Sequence, residues 1–227
     1  MSSITILLVD DHAVVREGFH SLLSALPGMK VVGSAANGRE AVLKAVALSP
    51  QIIIMDVAMP LMNGLQATSV IMRSLDQTKV ILLSAYDDAE YVARAIDAGA
   101  SGYLLKQTSV DTVIAAIRKV ASGGRFFSTP AVRRAHDNHC GRDKNGPLPS
   151  HRLSPREIEL LQLIAEGHPN KSMAFDLGLS IKTVEKHRQS IMDKLDVHDV
   201  AGLTRMAMAT GIVENRCKGA LFARIPA

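Results

Sequence analysis

The chain has 227 residues, enough for two small hydrophobic cores, and its 47% apolar and 21% charged residues are typical of a globular, soluble protein. It contains no Trp, three Tyr and five Phe, so its cores must be built mainly from aliphatic side chains. The two cysteines, Cys140 and Cys217, are too few for a disulfide framework and lack zinc-ligand spacing, which favours unpaired thiols in a reducing cytosol.

The net charge of +4 is unevenly distributed along the chain. Residues 1–121 contain ten Lys and Arg against eleven Asp and Glu, whereas the remainder contains sixteen against eleven. A basic second half is compatible with binding to nucleic acid, although many solvated surfaces carry such an excess. We find no signal-peptide pattern and no run of about eighteen apolar residues. We therefore expect a cytoplasmic protein with no membrane partner.

Short apolar segments alternate with longer amphipathic segments throughout residues 1–121. The predicted strands are rich in β-branched residues or Leu and lie at 4–9, 30–36, 52–55, 80–83 and 102–105. Most of them lack alternation, as strands buried on both faces do. Helix-like segments follow them at 14–25, 38–47, 65–73, 88–97 and 109–120. The pattern predicts an α/β domain with a doubly wound, five-stranded parallel sheet and helices on both faces.

Residues 122–151 differ in composition from the segments on either side. They contain Gly123-Gly124, several further Gly and Pro residues, and five Lys and Arg against two acids. We interpret this stretch as a basic linker between two domains, with one short helix near 130–137. The tail 214–227 extends past the second domain, and the sequence assigns it no role.

The pattern of residues 152–213 is entirely helical. Ser154-Pro155-Arg156-Glu157 combines an N-cap Ser, a Pro at the first helical position and a Glu at the capping-box position. Further helices are expected from a cap at Asn170 to Leu177, from a cap at Ser180 to about Leu195, and from Asp199 or a neighbour to Ala209. Four short helices joined by tight turns predict a small all-α, helix-turn-helix domain.

Polar residues follow the ends of four predicted strands of the first domain. They are Asp10 and Asp11 after the first strand, Asp56 after the third, Ser84 at the fourth and Lys106 at the fifth. The carboxyl ends of parallel strands meet at one edge of a sheet, where such folds bind ligands, so we expect these groups to converge. Packed carboxylates need a cation, and oxygen ligands suit Mg²⁺. An Asp pair alone is more often a solvated turn, but the full set suits phosphoryl transfer to Asp56.

Residues 4–120 resemble the receiver domain of two-component signalling proteins, which has a flavodoxin-like fold. The matching motifs are Val9-Asp10-Asp11-His12, Met55-Asp56-Val57-Ala58-Met59-Pro60, Asn63-Gly64, Leu83-Ser84-Ala85 and Gly102-Tyr103-Leu104-Leu105-Lys106. The resemblance implies that a sensor histidine kinase phosphorylates Asp56. It also implies that Asp11, Asp56 and the Ala58 backbone carbonyl bind Mg²⁺, with Asp10 acting largely through coordinated water.

The same resemblance assigns roles to three residues near the fourth and fifth strands. Ser84 is expected to bond a phosphoryl oxygen, Lys106 to pair with it, and Tyr103 to rotate inward on activation. One position departs from the family, because Gln107 stands where receivers commonly have Pro after a cis bond. A cis bond costs about 3–4 kcal/mol before a non-proline residue, against about 0.5–1 kcal/mol before Pro. We therefore expect a trans Lys106–Gln107 bond and a differently shaped loop.

The third helix of the second domain has two distinct faces. Helical spacing places Val184, Ile191 and Leu195 on one face, and the other carries Lys182, Glu185, Lys186 and Gln189. Such a helix can pack inward through its apolar face and present mostly basic groups outward. Taken alone, the polar face is more simply explained as an ordinary solvated helix surface.

Residues 152–213 resemble the LuxR-type DNA-binding domain of NarL/FixJ response regulators. The motifs are Leu153-Ser154-Pro155-Arg156-Glu157, Glu166-Gly167, Asn170-Lys171, Leu177-Gly178-Leu179-Ser180, the segment 182–188 and Ile191-Met192-Asp193-Lys194-Leu195. The resemblance implies that double-stranded promoter DNA is bound by Lys182, Thr183, Glu185, Lys186, His187, Arg188 and Gln189. It also implies a homodimer in the active state, formed through Val200, Leu203, Thr204 and Ala207 of the fourth helix. Asp196 replaces a common Gly after the third helix, and Asp tolerates left-handed backbone.

Three function classes are compatible with the sequence. We favour a transcription regulator controlled by phosphorylation, which turns over no external substrate and is not an enzyme. The second class is a phosphatase with an aspartyl-phosphate intermediate, but enzymes that resemble haloacid dehalogenases usually need an acid two residues after the nucleophile, where this chain has Ala58. The third is a DNA-binding regulator with a vestigial receiver that works without phosphate, which the unusual Gln107 leaves open.

Overall fold

The computed structural model describes residues 3–85, 87, 89–127, 153–210 and 212–213. The chain forms two compact units, which divide between residues 143 and 144. The predicted helix near 130–137, most of the predicted linker 122–151 and the tail 214–227 lie outside the described residues. None of the helices in the described ranges is long and apolar enough to cross a membrane.

The first unit is a parallel sheet whose strands alternate with helices along the chain. In order the elements are β1 (Ile4–Val9), α1 (Ala13–Ser24), β2 (Met29–Ala35), α2 (Gly38–Leu48), β3 (Ile52–Asp56), α3 (Gly64–Ser74), β4 (Lys79–Ser84), α4 (Ala89–Asp97), β5 (Gly102–Leu105), α5 (Val110–Ala121) and β6 (Phe126–Phe127). The strand order is β2-β1-β3-β4-β5-β6, and all neighbours are parallel. The chain therefore changes direction across the sheet between β1 and β3, where doubly wound folds bind ligands.

The expectation of five strands is wrong by one. Phe126 and Phe127 pair in parallel with Gly102 and Tyr103 of β5, so the sheet has six strands and its edge includes residues that we assigned to the linker. The Lys119 ammonium lies 5.7 Å from the centroid of the Phe126 ring, a cation–π contact that helps to hold this strand. A strand of two residues is too short for apolar periodicity to reveal it.

Two aliphatic cores cover the two faces of the sheet. Successive strand residues point to opposite faces, so Leu7 and Val9 pack with residues of α2, α3 and α4, whereas Ile6 and Leu8 pack with residues of α1 and α5. The inner strands are buried along their length, which explains why their sequences are almost continuously apolar. The two-sided α/β architecture predicted from the sequence is confirmed.

The second unit contains four described helices, α6 (Pro155–Ala165), α7 (Asn170–Leu177), α8 (Ile181–Leu195) and α9 (Val200–Ala209). The predicted capping box is present, because Ser154 accepts a hydrogen bond from the Glu157 backbone and Glu157 from that of Ser154. Ser180 caps α8 and Asp199 caps α9, as expected. Asp196 adopts the left-handed conformation at the end of α8, with φ 54° and ψ 47°, so the replacement of Gly is tolerated.

The predicted cap at Asn170 is wrong. Helix α7 begins at Asn170 itself, Pro169 occupies the capping position, and no side chain caps the helix. The side-chain oxygen of Asn170 instead accepts a hydrogen bond of 2.9 Å from the Arg188 guanidinium on α8. A tertiary contact has therefore replaced the local one, which the sequence around Asn170 could not reveal.

Helices α6 and α8 are joined by the carboxylate of Glu157, which is only 3% exposed. It accepts hydrogen bonds from Lys194 Nζ at 2.8 and 2.7 Å and from Ser190 Oγ at 2.8 Å. Burial raises the pKa of Glu157, but these bonds and the bond from the Ser154 backbone lower it by more than burial raises it. The net result is a fall from 4.5 to about 2. The ionised carboxylate therefore stabilises this unit.

We predict that Glu157→Gln destabilises the second unit by about 1–3 kcal/mol at pH 7, because it leaves a buried hydrogen-bond network incomplete. The folded pKa lies below the unfolded value, so this contribution is present above pH 4.5 and is lost as the pH falls towards about 2. Urea unfolding followed through amide NMR signals of residues 153–210 checks both points. A difference between variant and wild type that stays constant from pH 7 to pH 3 would contradict the linkage.

Candidate functional site

Carboxylates and a lysine converge at the carboxyl edge of the first unit's sheet, as the sequence predicted. Asp10 directly follows β1, Asp56 ends β3 and Lys106 directly follows β5. Asp10 is 4% exposed and Asp56 is 1% exposed. The Lys106 ammonium lies 2.6 Å from Asp56 Oδ2 and 3.3 Å from Asp10 Oδ2, so one cation bridges acids from two strands. Ser84 ends β4 at the same edge and is fully buried.

Burial and the lysine act in opposite directions on the acid at the centre of this site. Burial raises the pKa of Asp56, the hydrogen bond and charge of Lys106 lower it, and the net result is a rise from 3.8 to about 6. Burial lowers the pKa of Lys106, but its bond to Asp56 and the nearby acids raise it above 10.5. At pH 7 the lysine is therefore charged and the Asp56 carboxylate is mostly ionised.

The acidic cluster fits a hard divalent cation. One oxygen each from Asp10, Asp11 and Asp56, with a nitrogen of His12, lie within 4.8 Å of one another. Asp10 Oδ2 is buried, and although Lys106 is 3.3 Å away, no hydrogen bond from the described residues satisfies this oxygen. A buried carboxylate oxygen with this remaining acceptor capacity suits a divalent cation as a ligand. The Ala58 N–H lies 3.3 Å from Asp56 Oδ1, which keeps the predicted backbone ligand beside the cluster.

Two residues at the start of α1 also contact the cluster, and the sequence patterns gave neither of them a role. The His12 backbone N–H donates to Asp10 Oδ1 at 2.8 Å, and His12 Nδ1 lies 3.1 Å from Asp10 Oδ1 and 2.8 Å from Asp11 Oδ1. The Arg16 guanidinium donates to the Asp10 backbone carbonyl at 2.6 Å. The position of His12 in the turn after β1 could have indicated a contact with the acids. For Arg16 the only signal was a cation near a helix N-terminus, where cations are unfavourable.

Tyr103 and Gln107 lie on either side of Lys106 along the chain. Tyr103 is fully buried in the core cluster that includes residues of α2, α3 and α4, and its rotation on activation stays a prediction. The Lys106–Gln107 bond is trans, since the described residues contain no cis peptide bond. The trans bond expected from the missing Pro is confirmed, and the different shape of the loop stays a prediction.

The loop between β3 and α3 is packed tightly against the Asp56 backbone. The Gly64 N–H donates to the Val57 carbonyl at 2.8 Å, and a Cβ atom at Gly64 would lie 2.1 Å from the Asp56 carbonyl oxygen. Leu61 has φ 68°, and a 2.8 Å hydrogen bond from Met62 N to Pro60 O closes a strained three-residue turn around it. Only glycine therefore allows α3 to begin so close to Asp56.

Helix α8 has the two faces that its sequence predicts. Val184, Ile191 and Leu195 are buried in the second unit. The side chains of the opposite face are exposed, and these are Lys182, Glu185, Lys186 and Gln189. The remaining predicted DNA contacts, Thr183, His187 and Arg188, are partly buried at the margins of that face. The Arg188 side chain is held by a hydrogen bond to Asn170 on α7. Thr183 Oγ1 lies 2.8 Å from Oγ of Ser180, the residue that caps α8.

The four predicted dimer contacts on α9 separate into two groups. Leu203 and Ala207 are fully buried inside their own unit, where α9 packs on α6, so their assignment to a dimer surface is corrected. Val200 is 46% exposed and Thr204 is partly exposed. Helical spacing alone does not distinguish a core face from an interface, and in α9 the face that carries Leu203 and Ala207 belongs to the core.

Comparisons with known proteins identify the family. Residues 6–118 match the response regulator receiver domain, and residues 151–207 match the bacterial regulatory proteins of the luxR family. Over 214 residues the chain is 39% identical to the oxygen regulatory protein NreC of Staphylococcus carnosus, which covers 92% of this chain and 99% of that protein. The chain belongs to the NarL/FixJ family of response regulators.

Further relatives agree with this assignment. The response regulator is 40% identical over 198 residues to the transcriptional regulatory protein LiaR of Bacillus subtilis, covering 86% of this chain and 92% of that protein. A LuxR-family response regulator from Aurantimonas sp. SI85-9A1 has a TM-score of 0.56 at 30% identity, covering 62% of this chain and all of that one. The RcsB–DNA complex has a TM-score of 0.55 at 24% identity, covers 92% of this chain and 99% of that one, and shares the fold.

We predict that Gly64→Ala damages the acidic site of this response regulator and costs the first unit about 1–3 kcal/mol, because the new methyl group overlaps the Asp56 backbone. Gly18→Ala on α1 is the matched control, since no atom lies within 4 Å of its added Cβ and Ala favours helix by about 0.5–1 kcal/mol. Urea unfolding of both variants, followed through amide signals of residues 3–127, measures the two effects. Equal stabilities for the two variants would contradict the close approach.

Proposed function

We propose that a cognate sensor histidine kinase phosphorylates Asp56 and thereby controls how the second unit binds promoter DNA. The observation that supports this most directly is the ion pair between buried Asp56 and Lys106, among further carboxylates at the edge of the sheet. Because the proposed target is DNA, we also propose that the protein acts in the cytoplasm. The reaction modifies the chain itself, so we propose no turnover of an external substrate.

Each side chain of the site has a defined part in this proposal. Lys106 pairs with Asp56 Oδ2, and one oxygen of the Asp56 carboxylate forms the bond to phosphorus while the bond from phosphorus to the kinase histidine nitrogen breaks. Lys106 then offsets charge on the phosphoryl oxygens, and the Ser84 hydroxyl donates to one of them. Mg²⁺ bound by Asp11, Asp56 and the Ala58 carbonyl, with Asp10 acting through water, would supply further positive charge.

The competing phosphatase hypothesis needs a second acid that activates water. The residue two positions after Asp56 is Ala58, whose methyl group can neither accept nor donate a proton. A phosphoryl group on Asp56 therefore has no general base at that position to speed its hydrolysis. This favours a phosphoryl group that persists as a signal over one that is an intermediate of turnover.

We predict that acetyl phosphate with Mg²⁺ adds one phosphoryl group to the wild-type chain and none to Asp56→Asn. Asp111→Asn is the matched control, because Asp111 is an exposed acid of α5 and should label as the wild type does. Intact-mass spectra with Mg²⁺ and with a chelator measure the labelling. Equal labelling of Asp56→Asn would place the modification elsewhere, and equal labelling with the chelator would remove the need for the cation.

We propose that α8 enters the major groove of DNA through its exposed face. Lys182 and Lys186 lie one turn apart in its N-terminal half, which is the part that reads bases in helix-turn-helix proteins. Glu185 between them can accept a hydrogen bond from cytosine N4. Thr183, His187 and Arg188 flank this face, and with Gln189 they complete the proposed DNA contacts. Arg188, pre-oriented by Asn170, is suited to a phosphate.

We predict that Lys186→Ala relaxes base preference at one position of each half-site, at a cost of about 1–3 kcal/mol for the preferred base. Arg188→Ala should weaken binding to all sequences alike and reduce the salt slope by about 0.9, the contribution of one phosphate contact. Affinities for single-base variants of the operator at two salt concentrations separate the two roles. A uniform loss across all variants for Lys186→Ala would make that residue a phosphate contact instead.

We propose that two copies bind DNA together through the exposed face of α9, which carries Val200 and Thr204. Closed two-fold pairing is the commonest oligomer and suits two half-sites related by a two-fold axis. Leu203 and Ala207 support this face from inside the unit. Met208, which is 36% exposed and two turns from Val200, extends the face in place of the buried pair.

We predict that Val200→Glu shortens the footprint on a two-half-site operator to one half-site at equal protein concentration, because charge repulsion separates the two copies. Leu43→Glu on α2 is the matched control, since Leu43 is an apolar side chain that is 72% exposed on the other unit. It should leave the footprint unchanged. A full-length footprint for Val200→Glu at half-saturation would contradict pairing through α9.

A further inference from the structure

The basic residue near the start of α1 is in an unfavourable position. The N-terminal end of a helix carries partial positive charge, so cations are stabilising near the C-terminus and not here. Arg16 nevertheless lies within the first five residues of α1, and the helix has neither a side-chain cap nor an acidic residue in its first turn. Local helix energetics therefore do not explain an arginine at this position.

The contact that Arg16 makes does explain it. Its Nη1 atom donates a hydrogen bond of 2.6 Å to the backbone carbonyl of Asp10, six residues earlier and at the end of β1. The carbonyl belongs to the peptide group that joins Asp10 to Asp11. Bonds from a charged donor are shorter and stronger than neutral ones, so this bond fixes the peptide plane firmly.

Asp10 is held at three points, of which one lies on the peptide group that joins it to Asp11. The Asp10 N–H donates to the Ala35 carbonyl at 3.2 Å, Asp10 Oδ1 accepts from the His12 N–H at 2.8 Å, and the Asp10 carbonyl accepts from Arg16. The first two fix Asp10 against β2 and the turn. The third acts on the peptide that sets the direction of the Asp11 side chain, which is the direct cation ligand of the proposed function.

We propose that Arg16 is a positioning residue, which holds the turn after β1 so that Asp11 faces Asp56 and a divalent cation. This inference rests on the proposed function of the acidic site. Removing the partner of a ligand group typically lowers metal affinity by about 10–100-fold. Among the described residues the guanidinium bonds the Asp10 carbonyl and no carboxylate, so its effect is exerted through the backbone.

Titration of the full-length protein with Mg²⁺ by calorimetry tests the proposal. Arg16→Met should weaken Mg²⁺ binding by about tenfold or more, and Arg16→Lys, which keeps a charged donor, should recover much of the loss. Arg73→Met is the matched control, because Arg73 is exposed at the last turn of α3, and it should bind as the wild type does. Melting of the metal-free proteins should differ little among the three variants.

Several outcomes would overturn the inference while leaving the proposed function intact. These are equal Mg²⁺ affinity for Arg16→Met and wild type, or an equal loss in Arg16→Lys and Arg16→Met that follows a lower melting temperature. If Arg16→Met does not fold, Arg16→Gln replaces it with the same expectations. Failure of the wild type and Arg73→Met to bind Mg²⁺ would instead count against the acidic site itself.

Discussion

Repulsion among buried carboxylates is the constraint on which the first unit depends. Asp10 and Asp56 are almost completely buried at the ends of β1 and β3, and burial raises the pKa of Asp56 to about 6. The Lys106 ammonium offsets the cost of burying these acids. It lies beside them because Lys106 directly follows β5, two strands from β3 in the sheet. The close approach of Gly64 and the turn held by Arg16 fix the remaining backbone around the acids. A cluster arranged in this way suits the cation and the phosphoryl group of the proposed function.

The second unit uses an acid–lysine pair for a different purpose. Glu157 is buried between α6 and α8, where Lys194 and Ser190 satisfy its carboxylate, and its pKa falls to about 2. The pKa of Asp56 rises to about 6 because burial outweighs the same kind of partner. At neutral pH the Glu157 carboxylate is thus kept ionised where it joins two helices, whereas the pKa of Asp56 lies much closer to neutrality. Because α8 is held through residues near its C-terminal end, the face that carries Lys182 and Lys186 stays exposed.

The sequence predicted the features that follow from regular geometry. Residues at the ends of parallel strands meet at one edge, so the acidic cluster was predictable, and a period of 3.6 residues placed Val184 on the buried face of α8 and Lys186 on the exposed one. Features that depend on long side chains or very short elements were not predictable. The partner of Arg188 lies 18 residues away at Asn170, and Phe126–Phe127 become a strand only because β5 offers an open edge. The burial of Leu203 shows that spacing alone does not separate a core face from an interface.

We propose that a phosphoryl group on Asp56 changes how the second unit binds DNA. Selection of genomic DNA fragments with the full-length protein, with and without acetyl phosphate and Mg²⁺ and again with Asp56→Asn, tests this proposal. We expect a set of fragments, sharing paired half-sites, that the wild type enriches only with the phosphodonor and that Asp56→Asn does not enrich. The same enrichment by Asp56→Asn, or by the wild type without the phosphodonor, would contradict it and would favour a DNA-binding protein that works without phosphate.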